Sequence, residues 1–141
     1  MVKQVTVFLE NSEGRLSALC RCLSEANVNM KALTIAETSD YGIIRIIADD
    51  PNKSIEALTA ANFHASLTDV TAIEVPNQAG GLAGLLEKLS DLDLNIEYGY
   101  CFSTATDSAV DVLKIKGGAK AAEAVFALEA AGFKVLKQAD L

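Results

Sequence analysis

Residues 11–30 read NSEGRLSALCRCLSEANVNM and residues 77–96 read NQAGGLAGLLEKLSDLDLNI, so one pattern occurs twice without a gap. The matched positions include three leucines that the core side of a helix requires. They also include polar and glycine pairs that core packing does not require: Asn11/Asn77, Gly14/Gly80, Ser24/Ser90 and Asn29/Asn95. Residues 60–63 (AANF) and 130–133 (AAGF) match again further on, which indicates a duplication along the whole chain.

The duplication predicts two small modules, 1–68 and 69–141, within the 141 residues. Each module is too small to bury much apolar surface alone, and 50% of the residues are hydrophobic. No Gly-, Ser- or Pro-rich tether separates Phe63 from Pro76, so we expect the modules to pack rigidly side by side. The strands expected around 43–47 and 110–113 are apolar on both faces, which predicts self-association as a homodimer.

The charge pattern limits the classes of partner. The net charge is −7 without a basic cluster, which argues against nucleic acid and against anionic membranes. No window approaches the ~20 apolar residues of a membrane span, and the first residues lack a signal-like apolar stretch, so we expect a cytoplasmic protein. The three cysteines, Cys20, Cys22 and Cys101, have neither disulfide nor metal spacing, which predicts reduced thiols. We therefore expect no metal and no cofactor.

Hydrophobic periodicity gives both repeats the order strand, helix, strand, strand, helix, strand. We expect strands at 2–9, 29–38, 41–48 and 64–68 in the first repeat, and at 70–75, 95–102, 109–116 and 133–139 in the second. The residues Ser39 and Asp40 form the expected turn of the first strand pair. This βαββαβ order, found twice, predicts an α+β fold of two ferredoxin-like modules, with antiparallel sheets and the helices on one face.

Capping residues and leucine stripes predict the helix ends and the buried helix faces. Ser12 is the expected N-cap of the first helix, and Asp50 followed by Pro51 is the expected start of the second. Asn27, Asn62 and Gly132 are expected to end helices in a left-handed conformation. The expected buried stripes are Leu16, Leu19, Cys20, Leu23 and Ala26 in the first repeat, and Leu82, Leu85, Leu86 and Leu89 in the second.

The motif at the first helix resembles the ACT domain. A strand is followed by Asn-x-x-Gly-x-Leu at a helix start, and the next strand begins with Asn and an aliphatic residue. The ACT domain is the small-molecule-sensing module of enzymes such as phosphoglycerate dehydrogenase, aspartokinase and the acetolactate synthase regulatory subunit. Residues 9–16 and 28–30 are similar to its serine-sensing version, and the resemblance covers both halves. It implies a tandem, free-standing ACT protein that regulates a metabolic enzyme.

The resemblance also implies a site, because the family's effector amino acid lies where the loop after the first strand meets a neighbouring ACT unit. The matching positions are Asn11, Ser12, Gly14, Arg15, Leu16 and Asn29, and Asn77, Gln78, Gly80, Gly81, Leu82 and Asn95. The chemistry is suitable, since a helix N-terminus accepts a carboxylate and an Asn amide binds both ammonium and carboxylate groups.

Three positions depart from the family pattern. Glu13 and Ala79 stand where the family usually has Pro, and Leu9 stands where the serine sensor has His. These departures argue against serine as the ligand.

Each candidate residue also has a structural interpretation. The Asn11 and Asn77 side chains could cap loops, the motif glycines could allow close packing, and Asn29 and Asn95 could be turn residues. Arg45 could hold a carboxylate or pair with an acid across a subunit boundary, and His64 is expected to be a solvated strand-end residue.

Three functions stay open at this level. The first is a non-catalytic amino-acid sensor, since no nucleophile, metal or phosphate-binding motif is present. The second is a ligand-free structural or regulatory subunit that binds a metabolic enzyme. The third is an RNA-binding ferredoxin-like domain that uses Tyr98, Tyr100 and Phe102, which the acidic balance disfavours.

Overall fold

The computed structural model describes residues 1–37, 40–103 and 106–141. The chain divides into two compact units, which are Lys3–Thr68 and the combination of Met1–Val2 with Asp69–Leu141. We call them the first unit and the second unit. The expected turn residue Ser39, and Thr38 at the end of an expected strand, lie outside the described residues.

The first unit has the βαββαβ order that the sequence predicts. Its sheet has the order β2-β3-β1-β4, and β3 runs antiparallel to both β1 and β2. The elements are β1 Val2–Glu10, α1 Arg15–Glu25, β2 Met30–Glu37, β3 Tyr41–Ala48, α2 Pro51–Ala60 and β4 His64–Pro76.

The second unit repeats the βαββαβ order, and its first strand is the part of β4 that follows Thr68. Its sheet has the order β5-β6-β4-β7, and β6 and β7 run antiparallel to β4. The further elements are α3 Gly81–Asp91, β5 Ile96–Phe102, β6 Ser108–Ile115, α4 Gly118–Ala130 and β7 Lys134–Leu136, with a short 3₁₀ helix at Gln138–Asp140.

Two expected strand assignments were wrong. The strands expected at 64–68 and 70–75 form one strand, β4, because no Gly or Pro interrupts this β-branched stretch before Pro76. The strand expected at 133–139 pairs only over Lys134–Leu136. It ends there because the Asp140 side chain accepts a hydrogen bond from the Lys137 N–H (2.7 Å), which closes the 3₁₀ turn.

Both helices of the first unit pack on one face of its sheet. Leu19 and Leu23 of α1 and Leu58 of α2 are fully buried against inward-facing β-branched residues of β1 and β3. Leu85 and Leu89 of α3 and Leu128 of α4 repeat this packing in the second unit. The helices therefore lie on one face of each antiparallel sheet, and the predicted α+β ferredoxin-like fold is confirmed.

The predicted ends of several helices are confirmed. The Asp50 side chain accepts a hydrogen bond from the Lys53 N–H (3.0 Å), and Pro51 is the first residue of α2. The left-handed residues that follow α1, α2 and α4 are Asn27 (φ 54°), Asn62 (φ 63°) and Gly132 (φ 89°).

The leucine stripes were only partly correct. Leu16 and Leu82 are 37% and 44% exposed, and Leu86 is exposed as well, so these residues are not core. Leu16 and Leu82 lie in the first turn of their helices. Leu16 instead borders the cavity described below.

The three cysteines are free, and Cys20 and Cys22 are half-buried against the core of the first unit. The Cys22 thiol donates to the Ala57 carbonyl oxygen (3.4 Å). Burial and the nearby Glu25 raise the pKa of this thiol. Within the described ranges no helix is long and apolar enough to cross a membrane.

Candidate functional site

The loop between β1 and α1 places a left-handed glycine at the start of the helix. Gly14 has a φ of 82°, and its carbonyl oxygen accepts the first helical hydrogen bond from the Ala18 N–H (2.9 Å). The expected cap at Ser12 was wrong, because none of the described side chains caps α1. Ser12 lies two residues before the N-cap position, which is Gly14. The Ser12 N–H donates to the Glu10 carbonyl oxygen (2.9 Å), and the Ser12 carbonyl oxygen accepts from the Arg15 N–H (3.4 Å). Apart from the Arg15 N–H, the start of α1 has no side-chain cap among the described residues.

The second unit has the same helix start. Gly80 is left-handed with a φ of 88°, and its carbonyl oxygen accepts from the Gly84 N–H (3.0 Å). Gln78 takes the place of Ser12, and its carbonyl accepts from the Gly81 N–H (3.0 Å). A Cβ atom on Gly81 would collide with the carbonyl oxygen of Pro76, so this position requires glycine for steric reasons.

The two motif asparagines join this loop to the following strand pair. The Asn11 N–H donates to the Asp40 carbonyl oxygen (3.2 Å). The Asn77 backbone N–H donates to the Asp107 carbonyl oxygen (2.9 Å). The Nδ2 group of the Asn77 side chain donates to the Thr106 carbonyl oxygen (3.2 Å). These bonds close one end of each unit and fix the position of the helix start relative to its sheet.

A cavity of about 170 Å³ lies beside the first of these loops. Its volume corresponds to about six water molecules at ~30 Å³ each, which suits a small ligand. The predicted residues Asn11, Ser12 and Leu16 line it. The lining residues that the sequence analysis missed are Leu9 and Glu10 of β1, Ile35 and Glu37 of β2, and Gly42 and Ile44 of β3.

The missed residues follow from the strand register. Leu9 pairs with Gly42, Ile35 pairs with Ile44, and Glu37 pairs with Gly42, so they gather at one end of the sheet. Ile44 is buried at the apolar floor of the cavity, while Glu10 and Glu37 are exposed at its rim. Alternation within each strand was visible in the sequence, but the pairing of strands was not.

Asn29 and Asn95 lie at the other end of their helices. The Asn29 N–H donates to the Asp49 carboxylate (3.0 Å), and the Asn29 carbonyl accepts from the Asp49 N–H (3.1 Å). The Asn95 carbonyl accepts from the Lys116 N–H (2.9 Å). The 11 residues of α1 extend for ~16 Å, so Asn29 does not meet Asn11 and Gly14 within one unit.

Arg15 points to a second groove rather than into the cavity. Its guanidinium carbon lies 4.6 Å from the centroid of the Phe63 ring, a cation–π distance. Its Nε is buried without a hydrogen-bond partner among the described residues. Arg15 shares this groove of about 280 Å³ with Phe8, Tyr41 and His64. His64 is exposed at the first position of β4, as expected.

The second unit has an ion pair where the first has this aromatic groove. The Lys134 ammonium lies 2.9 Å from the Glu74 carboxylate, and this hydrogen bond raises the pKa of Lys134. Glu74 and Lys134 occupy the β-strand positions that Phe8 and His64 occupy in the first unit. The two units have therefore diverged in the chemistry around the same helix start.

One buried acid was missed entirely. Asp111 in the middle of β6 is 4% exposed, and burial raises the pKa of its carboxyl group. The sequence signal was an acid within the otherwise apolar run 109–113. The described residues contain no cluster of three or more His, Cys, Asp or Glu side chains that could hold a metal ion.

Two βαββαβ units, each with a left-handed glycine at the start of its first helix, define a tandem ferredoxin-like fold. The chain belongs to the ACT domain pair family, whose model matches residues 1–138. The predicted family is therefore confirmed.

Three solved structures have a similar fold. Protein BT0572 from Bacteroides thetaiotaomicron is 36% identical with a TM-score of 0.91, over 99% of this chain and 94% of that one. The regulatory subunit of aspartate kinase from Thermus thermophilus is 15% identical with a TM-score of 0.67, over 92% and 91%. Aspartokinase III of E. coli, in complex with lysine and aspartate, is 15% identical with a TM-score of 0.52, over 92% of this chain and 30% of that one. No curated protein sequence matches the chain.

Proposed function

We propose that this chain is a non-catalytic regulatory protein that senses a free amino acid. The effector binds at the start of α1 in the first unit and at the start of α3 in the second. The observation that carries this proposal is the cavity of about 170 Å³ between the Asn11 loop and the edge strand β2. ACT domains are small-molecule sensors, and this cavity lies where the family motif predicts the effector.

The lining of the cavity suits the three parts of an amino acid. The ligand carboxylate is placed toward the N–H groups at the start of α1, where the helix dipole favours negative charge. The ligand ammonium is placed toward the exposed carboxylates of Glu10 and Glu37. The side chain is placed on Leu9 and Ile44, which are apolar and buried.

We also propose that the chain acts as a homodimer and that Asn29 and Asn95 reach an effector bound to a neighbouring unit. Within one unit Asn29 lies at the far end of the helix, so it contributes to a site only across a contact with another unit. Strand β2 is the edge of its sheet, and its side chains Leu33 and Ile35 are 39% and 45% exposed. A second copy that covers these side chains would remove exposed apolar surface from water.

The target of the regulation is proposed to be a metabolic enzyme in the cytoplasm. The aspartate kinase regulatory subunit with this fold is a separate chain of comparable length, since the match covers 91% of it. An ACT pair such as this one can serve an enzyme in the same manner. The alternative is a structural subunit that binds the enzyme without an effector.

A calorimetric and thermal-shift screen of the twenty amino acids tests the sensor proposal. Binding should raise the melting temperature of the full chain in a concentration-dependent manner. Asn11→Ala should weaken binding roughly tenfold to a hundredfold, because a hydrogen bond to a charged ligand group contributes ~1.5–3 kcal/mol. Asn52→Ala, an exposed position on α2, is the matched control. If no amino acid shifts the melting temperature, the sensor proposal fails and the ligand-free subunit takes its place.

A further inference from the structure

Asp111 is a buried carboxylate on the helix-bearing face of the second sheet. It lies in β6 directly opposite Ile73 of β4 on one side and Cys101 of β5 on the other. Ile73 belongs to the core beneath α3 and α4, and directly opposed residues share a face, so Asp111 faces the helices as well. Asp111 is 4% exposed, and among the described residues no ion pair or hydrogen bond compensates its carboxylate.

The duplication shows what this position does in the other unit. Val7 pairs with Ile44 in the first unit as Ile73 pairs with Asp111 in the second, so Asp111 stands in the place of Ile44. Ile44 forms the floor of the 170 Å³ cavity. The carboxylate therefore occupies the position from which the first unit presents an apolar side chain to its cavity.

The positions around Asp111 also differ from their equivalents in the first unit. Ile35, which pairs with Ile44 and lines the cavity, is replaced by Cys101, which pairs with Asp111. At the rim, Glu10 and Glu37 are replaced by Pro76 and Ser103. The acidic side chains thus lie at the rim of the cavity in the first unit, whereas in the second unit the acid lies at the strand position equivalent to the floor residue Ile44.

A buried carboxylate without a partner is destabilising, and a cation that pairs with it recovers part of that cost. We infer that the two units select different side chains: the first accepts an aliphatic amino acid, and the second accepts an amino acid with a cationic side chain, whose terminal ammonium pairs with the Asp111 carboxylate. This inference rests on the proposed amino-acid-sensing function and assigns a ligand class to each site.

Lysine and norleucine form a suitable pair of probes, because their side chains have four carbons each and only lysine carries the terminal ammonium. Calorimetry on the full chain should show that Asp111→Asn weakens lysine binding roughly tenfold to a hundredfold, as expected for the loss of a charge-assisted hydrogen bond. Norleucine binding should not change. Asp91→Asn, at an exposed position on α3, is the matched control and should bind both probes as the parent does.

A second measurement uses the parent chain and does not depend on the folding of a variant. Cys101 is exposed and lies directly opposite Asp111, whereas Cys20 and Cys22 are half-buried in the first unit. Lysine should slow alkylation of Cys101 and leave Cys20 and Cys22 unaffected, as read by peptide mass spectrometry. Norleucine should not protect Cys101.

The outcomes separate the inference from the proposed function. If lysine binds the parent and Asp111→Asn equally, or if it leaves the alkylation rate of Cys101 unchanged, the inference is wrong. The amino-acid-sensing proposal is not affected by either result. If the parent binds no amino acid at all, both fail together.

Discussion

The two glycines Gly81 and Gly84 in the first turn of α3 have different surroundings. A Cβ atom on Gly81 would collide with the carbonyl oxygen of Pro76, whereas a Cβ atom on Gly84 would meet nothing within 4 Å. Gly81 therefore brings the helix start close to the end of β4. Gly84 only adds conformational freedom to the unfolded chain.

The first prediction concerns this pair. Gly81→Ala should destabilise the protein by ~1–3 kcal/mol, because the methyl group forces the helix away from Pro76. Gly84→Ala should stabilise it by ~0.5–1 kcal/mol through helix propensity. Urea unfolding measures both. Equal effects of the two substitutions would contradict the close approach at Gly81.

The second prediction concerns Asp111. Burial raises the pKa of Asp111 in the folded state above its value in the unfolded state. At a pH above the folded-state pKa, the buried charge therefore lowers the free energy of unfolding. At a pH below the unfolded-state pKa, the carboxyl group is protonated in both states and this loss of stability disappears. Asp111→Asn should therefore be more stable than the parent at neutral pH, and the difference should shrink as the pH falls through that window.

Asp91→Asn provides the baseline for this measurement, because Asp91 is exposed. Chemical unfolding at several pH values checks the prediction. A difference between Asp111→Asn and the parent that is independent of pH would show that the ionised carboxylate is not the cause.

At the scale of elements, α1 and α2 start differently although a capping residue precedes each. Asp50 lies immediately before α2 and accepts from the Lys53 N–H (3.0 Å). Ser12 is separated from α1 by Glu13 and the left-handed Gly14, so its side chain does not reach the helix. The start of α1 thus has no side-chain cap among the described residues, and it is the place proposed for the effector.

The third prediction follows from this contrast. Asp50→Ala should lower the free energy of unfolding by ~1 kcal/mol, because a helix cap is lost. Ser12→Ala should stay within ~0.5 kcal/mol of the parent, as expected for a surface position. Thermal or urea unfolding distinguishes them. A loss of similar size at Ser12 would mean that its side chain does cap α1.

At the scale of the whole molecule, apolar side chains on the edge strand β2 are left exposed. Leu33 and Ile35 face the helix-bearing side of the first sheet at its open edge. An exposed apolar edge strand is a favourable place for a second chain to pack.

The fourth prediction is therefore self-association through this edge. The chain should be a dimer at micromolar concentration, and Leu33→Lys should shift it toward the monomer, because an ammonium group would be buried at the contact. Phe126→Lys, at a 74% exposed position on α4, is the control and should leave the dimer intact. Light scattering coupled to size-exclusion chromatography measures the mass. A monomeric parent chain would remove the basis for an intersubunit site.

The sequence predicted the features that depend on neighbouring residues better than the features that depend on residues far apart in the chain. The order βαββαβ, the cap at Asp50 and the left-handed residues Asn27 and Asn62 depend on neighbours along the chain, and they were predicted correctly. The continuous strand β4 and the exposure of Leu16 were not, because pairing and coverage come from distant residues.

The sequence by itself determined the duplication, the fold class and the Asn-x-x-Gly motif, because periodicity and turn chemistry are local properties. Only the tertiary structure decided which residues meet. It brought Ile35, Glu37 and Ile44 to the Asn11 loop, placed Asn29 at the far end of α1, and put Asp111 in the position of Ile44. Strand register set these neighbours, and register depends on hydrogen bonds between segments that are far apart in the chain.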